Sequence, residues 1–285
     1  MLKEMARAKV NLTLDILGVR ADGYHEVSMI MQTIELADEV TLKKISGGVE
    51  LLTDATGIIG GENIPDDERN LAWRAALEFQ KFCGKDLGVA IELVKKIPAA
   101  AGLAGGSADA AAVIRGMNRL YELNLTETEL CTVGARVGSD VPFCLIGGTC
   151  LAEGRGEILT RLTPIKKFNV VLAKPDGEIS TAWAYKNYDA NPATTHPPTQ
   201  EIIAQLQRGD YDAAFKNFSN VLEIVALKKI PAVADCKKNF LSAGASVALM
   251  SGSGPTVFAL TDDDASVEKI AASVDAAQVF VTKTF

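Results

Sequence analysis

IPAAAGLAGGSADAAA, running from Ile97 to Ala112, decides how this chain is read. Three glycines, Gly102, Gly105 and Gly106, fall within the seven residues from Ala101 to Ser107, and an alanine-rich run follows at once. Glycine lets backbone approach a ligand closely and reach positive φ without a Cβ penalty. Alanine is the strongest helix former. The stretch therefore reads as a loop of exposed N–H groups feeding a helix over Ala108–Tyr121. Unpaired N–H groups and the helix dipole both favour an anion there, so the loop is a phosphate-binding candidate. A plain turn before an amphipathic helix would need one glycine, not three.

The common nucleotide fingerprints do not fit. Walker A requires Lys-Ser or Lys-Thr after its last glycine, and G-x-G-x-x-G requires a spacing that these glycines lack. Within the loop, a methyl at Ala104 is tolerated if that residue keeps a negative φ. Ser107 offers a hydroxyl to phosphate or Mg²⁺, or caps the helix. Asp109 suits the dipole of a first helical turn but would repel phosphate if aimed inward, and it is left outside the site.

Outward from the loop, Val89–Val94 alternates as a strand, and Asn70–Phe82 and Thr126–Val137 read as helices, the latter opened by a Thr126/Glu129 capping-box pattern. Nearer the N-terminus, Ala8, Val10, Leu12, Leu14 and Ile16 alternate with Arg7, Lys9, Asn11, Thr13 and Asp15, which predicts a half-buried strand. Val27–Leu36 and Glu39–Lys44 read as two further strands, and Gly47–Asp67 as loop or hairpin. Past the loop, strands are expected over Phe168–Ala173, Val247–Met250, Thr256–Leu260 and Val279–Thr284. Helices are expected within Thr199–Phe218, Pro231–Leu241 and Asp264–Val274. This order predicts an α+β fold with helices layered on one face of a sheet. A boundary near residue 158 divides the chain into an N-terminal domain, 1–158, carrying the glycine loop and a C-terminal domain, 159–285, on the substrate side.

Composition narrows the function. The 285 residues carry a net charge of −7, which argues against nucleic acid and anionic membrane as partners but leaves room for a small anionic ligand. The five cysteines are scattered with no C-x-x-C, so reduced thiols are expected. The polar N-terminus and the lack of a long apolar run point to the cytoplasm.

Further segments bear on the chemistry. Lys9 and Asn11 share one strand face. GSDVPF places Asp140 just before Pro142, and GGTCLAEGRGE and MSGSGPTVFAL add two more glycine-rich stretches. Taken alone, a strand lysine is usually solvated and an aspartate near proline usually caps a helix or turn. In order along the chain, however, ARAKVNLTLDILGVRADGYHE, IPAAAGLAGGSADAAA, GSDVPF, GGTCLAEGRGE and MSGSGPTVFAL resemble the GHMP kinases. Within that family they are most similar to the branch acting on a cytidine diphosphate-linked methylerythritol.

The resemblance implies a two-domain fold, ribosomal S5 domain 2-like then ferredoxin-like. It also implies ATP-dependent phosphorylation of the substrate's C2 hydroxyl, in the non-mevalonate route to isoprenoid precursors. Asp140 would be the general base and Lys9 would stabilise the developing charge. Pro98, Ala99, Ala100, Ala101, Gly102, Leu103, Ala104, Gly105, Gly106, Ser107 and Ala108 would hold ATP. Asn11 would orient the substrate, and Tyr24, His25 and Tyr185 would recognise its cytidine end, with Tyr185 preferred to Trp183 for stacking. Mg²⁺ would come with ATP rather than on a protein cluster. Cys144, Leu145 and Ile146 follow Phe143 where some relatives carry a lysine. Asn220–Glu223, NVLE, resembles an NDLE-like family segment with no role assigned. The expected state is a monomer or weak homodimer. The competing readings are a homoserine- or mevalonate-type kinase and a non-catalytic nucleotide sensor on the same fold.

Overall fold

A computed structural model describes residues 1–285. Its strands are β1 (Leu2–Val19), β2 (His25–Lys44), β3 (Val49–Asp54), β4 (Val89–Val94), β5 (Thr149–Glu153), β6 (Ile158–Arg161), β7 (Asn169–Lys174), β8 (Val247–Met250), β9 (Val257–Thr261) and β10 (Gln278–Lys283). Its helices are α1 (Leu71–Cys83), α2 (Gly105–Leu120), α3 (Glu127–Val137), α4 (Val141–Ile146), α5 (Thr181–Ala190), α6 (Thr199–Gln207), α7 (Tyr211–Asn217), α8 (Glu223–Lys229), α9 (Ala232–Ala243) and α10 (Val267–Ala271). One sheet has the order β3-β4-β2-β5-β6 with β1 on β2, and a second runs β10-β7-β9-β8. The fold is α+β, and none of its helices is long and apolar enough to cross a membrane.

The chain forms two compact units, Met1–Ala8 with Leu36–Ala99 and Ala104–Gly147, and Lys9–Glu35 with Ala100–Leu103 and Gly148–Phe285. Both draw on the N-terminal strands, so they do not map onto one cut near residue 158. In the first unit, β3 lies parallel to β4, and β4 lies antiparallel to β2 from Glu39↔Val94 to Lys44↔Val89. Helix α1 starts at Asn70, whose side chain accepts from Ala72 N–H. The Thr126/Glu129 capping box opens α3. Helix α2 presses on the sheet at Gly116, where a Cβ would overlap the Leu42 side chain, so only glycine fits this approach.

In the second unit β10, β7, β9 and β8 are antiparallel throughout, and β7 and β9 are buried along their whole length. β5 pairs with β2 at Met29↔Ala152 and with β6 at Glu153↔Ile158.

Several expectations from sequence are corrected. The two strands predicted over Val27–Leu36 and Glu39–Lys44 are one twenty-residue strand. Gly47–Asp67 contains β3. The last helix is a short 3₁₀ turn followed by five residues of α10. The largest difference is in β1, which is buried on both faces from Ala8 to Ile16 instead of half-buried. Its polar face is satisfied internally: Thr13 Oγ1 accepts from Ile30 N–H, and Asp15 Oδ1 accepts from Ile16 N–H and pairs with His196 Nδ1 at 2.6 Å. Buried polar groups are tolerated when paired in this way.

Candidate active site

The glycine loop crosses between the units, Ala100–Leu103 in the second and the rest in the first. Helix α2 begins at Gly105, three residues before the expected start, with Ala104 as N-cap. Ala104 takes φ 58° and ψ 30°, so the methyl sits on left-handed backbone and not at the negative φ that would have eased it. Ala100 is also left-handed, at φ 48°. Ser107 is the third helical residue and does not cap. The first intrahelical bond runs from Ala108 N–H to Ala104 O at 2.8 Å, so the N–H groups of Gly105, Gly106 and Ser107 precede the helical ladder, as an anion site requires. Gly138, two residues before Asp140, lies beside this turn: a Cβ on it would stand 4.0 Å from Ser107 Oγ.

Asp140 occupies the N-cap of α4 in right-handed geometry, φ −82° and ψ −11°, and its side chain makes no capping hydrogen bond. Farther along α4, the Cys144 carbonyl accepts from Arg115 Nη1 at 2.9 Å.

In the second unit Lys9 is 4% exposed, so it is not a solvated strand lysine. Its Nζ donates to Asn11 Oδ1 at 2.5 Å and to Gly102 O at 3.1 Å, and its backbone N–H donates to Leu103 O at 3.1 Å. Asn11 Nδ2 meets Met29 Sδ at 3.4 Å. Gly102 O also accepts from Ser251 Oγ at 2.9 Å, and Ser251 Oγ accepts from Asn11 N–H at 3.4 Å. The lysine strand, the phosphate loop and the SGSGP loop are thus joined through one hydroxyl and one carbonyl. Gly102 has φ 76°, and a Cβ on it would overlap Ser251 O. A Cβ on Gly252 would lie 3.3 Å from Lys9 Nζ.

Elsewhere in the second unit, His25 Nε2 donates to Asp189 Oδ1 at 2.7 Å, and its ring lies 4.7 Å from that of Tyr185. Trp183 instead lies under Lys229 Nζ, 4.2 Å from its centroid. Tyr24 is 54% exposed with the Arg155 guanidinium 5.0 Å over its ring. Of the residues assigned to the cytidine end, His25 and Tyr185 are brought together, and Tyr24 stands with Arg155.

Sequence reasoning left out a buried cluster behind the phosphate loop in the first unit. Lys95 Nζ donates to Asp38 and, at 2.6 Å, to Asp109 Oδ2. Asp38 Oδ1 also accepts the backbone N–H groups of Lys96 and Ile97, at 2.5 and 2.8 Å, where the chain leaves β4 for the loop. Asp109 Oδ1 is buried without a partner. Burial pushes the Asp109 carboxyl up to about 8; Lys95 opposes the rise and Asp38 adds to it. Burial alone would lower Lys95, but the carboxylates of Asp109 and Asp38 outweigh it and raise it. The signal was present in the sequence: Lys95 continues the inward parity of Val89, Ile91 and Leu93, and Asp109 interrupts a buried alanine run.

A folded carboxyl at about 8 against an ordinary value of 3.8 binds a proton that the unfolded chain has released. Its contribution to stability is fully present below the ordinary value and is lost as pH rises through the folded one. Asp109→Asn keeps the neutral shape and removes the titration. Relative to the parent, this variant is expected to gain stability steadily between pH 5 and pH 8, read from urea midpoints at both; a constant difference would show that Asp109 stays ionised.

Comparison with known proteins places this geometry. The family model for the GHMP kinases N terminal domain matches residues 70–148, and that for GHMP kinases C terminal matches residues 202–279. A 4-diphosphocytidyl-2-C-methyl-D-erythritol kinase of Acetivibrio thermocellus is 45% identical over 91% of this chain and 89% of its own length. The enzyme of that name from Clostridium botulinum is 40% identical over 98% of both chains. A crystal structure of a 4-(cytidine 5'-diphospho)-2C-methyl-D-erythritol kinase superposes with a TM-score of 0.83 at 30% identity, covering 99% of each chain. Similarity that runs through the phosphate loop, the lysine strand and the SGSGP loop alike makes this chain a member of the GHMP kinase family.

Proposed function

We propose that this protein is the kinase its full-length relatives are named for: it transfers the γ-phosphoryl group of ATP to the C2 hydroxyl of 4-diphosphocytidyl-2-C-methyl-D-erythritol. The observation that carries the chemistry is the buried Lys9 ammonium held against the Gly102 carbonyl of the phosphate loop. Phosphoryl transfer is chiefly positioning and charge stabilisation. The N–H groups of Gly105, Gly106 and Ser107 receive phosphate oxygens at the start of α2, and Lys9 offsets charge that develops during transfer. Asp140 accepts the hydroxyl proton. Mg²⁺ would be brought by ATP, and the Ser107 hydroxyl, an oxygen donor suited to a hard cation, would be the residue here able to hold it. His25 and Tyr185 present a polar edge and a ring face to the cytosine, where stacking is worth about 1–3 kcal/mol. The reaction belongs to the non-mevalonate route to isoprenoid precursors, and a cytoplasmic location is part of this reading; no helix is long and apolar enough to cross a membrane.

The test is ADP release from Mg-ATP with 4-diphosphocytidyl-2-C-methyl-D-erythritol, homoserine or mevalonate as acceptor, the product confirmed by mass. Turnover with the first alone is expected. Turnover with either of the others would move the protein to another branch of the family. ATP binding with no turnover on any of them would make it a nucleotide sensor.

A further inference from the structure

The NVLE segment, Asn220–Glu223, is built into the same network as Lys9. Asn220 is buried, and its amide donates to Met250 O at 2.9 Å and to Gly252 O at 2.8 Å, the two carbonyls that flank Ser251. Its Oδ1 accepts from Leu222 N–H at 3.0 Å, which fixes the amide's orientation. Glu223 Oε1 accepts from Met250 N–H at 2.9 Å and its other oxygen from Lys237 at 2.5 Å. The segment is also stitched to β1: Leu14 N–H donates to Ser219 O and Val221 N–H to Leu14 O, both at 3.0 Å. One side chain thus pins the carbonyls of the residues before and after Ser251, and Ser251 in turn sets Gly102 by a hydroxyl bond to its carbonyl and by close packing against its Cα.

We propose that Asn220 is a positioning residue for phosphoryl transfer, acting through Ser251 on the Gly102 carbonyl and hence on Lys9. The proposal rests on the kinase reading for its effect on turnover, and on the network alone for its effect on the loop. Apolar Val221 is buried beside it, so the positioning work of the segment falls to the asparagine and the glutamate. Removing the amide frees both flanking carbonyls, and Ser251 loses the frame that aims its hydroxyl. A displacement on the order of 1 Å at a reacting centre costs about a hundredfold in rate.

The experiment compares Asn220→Ala, Ser251→Ala and the double variant. Asn220→Ala is expected to lower kcat by about 30- to 100-fold with KM for ATP changed less than about threefold, because placement is lost while the N–H groups of α2 remain. The double variant is expected to be no slower than Asn220→Ala, since both changes break one chain of contacts. Hydrogen exchange without substrates is expected to accelerate at residues 100–106 as well as 251–254. An unchanged kcat per folded molecule, effects that multiply in the double variant, or exchange confined to 251–254 would each overturn the proposal. The exchange result stands whether or not the parent turns over, so a wrong substrate assignment shows separately in the parent's assay. Should Asn220→Ala not fold, Asn220→Asp keeps the shape and the Leu222 bond but loses both donors, and carries the same comparison.

Discussion

Asp140→Asn is expected to lower kcat by about 10²- to 10⁴-fold, the range that a positioned general base contributes. Asparagine has the same shape but cannot take the hydroxyl proton as the bond to phosphorus forms. The KM for ATP should stay close to the parent value, since the N–H groups proposed to receive phosphate belong to α2. Folding should be retained as well, because α4 takes no capping hydrogen bond from this side chain and keeps its backbone start at Asp140 O, which accepts from Cys144 N–H at 3.1 Å. Single-turnover rates with thermal unfolding measured alongside decide the matter. A kcat within a few-fold of the parent would mean that transfer proceeds without this base. A loss of rate matched by a loss of folded protein would make Asp140 structural.

The second large effect belongs to Gly102→Ala. The residue needs φ 76°, which costs an L side chain about 1–2 kcal/mol. The added Cβ would also meet the Ser251 carbonyl and stand 3.1 Å from Gly254 N, and backbone cannot rotate aside. Together these predict a loss on the order of 3 kcal/mol and a displaced loop. Because Gly102 O receives both Lys9 Nζ and Ser251 Oγ, kcat/KM for ATP should fall by about a hundredfold or more. Gly105→Ala is the comparison: this glycine is not at positive φ, and its Cβ would stand 3.1 Å from Ile97 Cγ2 without overlapping backbone, so its effect should be smaller. Urea midpoints and kcat/KM for ATP test the order, and equal effects at the two positions would refute the backbone clash as the cause.

The parts whose physics is local were legible in local signals. The Thr126/Glu129 capping box, the alternation of β4 and the glycine-to-alanine transition at α2 each follow from a few neighbouring residues. What escaped was set by distant partners. β1 reads as half-buried because its second face is polar, and only residues far along the chain, such as Ser251 and His196, show how that face is satisfied. The Asp38–Lys95–Asp109 cluster draws one residue each from β2, the end of β4 and α2, so no single segment announces it. Ala104 adopts a left-handed conformation that a glycine would have advertised and an alanine conceals. Tyr185 and Trp183 are two residues apart on α5, and which one faces His25 depended on packing that residue type does not encode.

The bond from Asn11 N–H to Ser251 Oγ joins residues 240 positions apart. At a synthesis rate of about 5–20 residues per second, β1 emerges from the ribosome roughly 10–50 seconds before the loop that completes its polar face is made. Through that interval a strand bearing Lys9, Asn11, Thr13 and Asp15 has no finished interior to enter. The frame that seats Lys9 against Gly102 is therefore completed late in the life of each new chain, and truncated translation products would carry the glycine loop without the Ser251 and Asn220 that hold Gly102 in place.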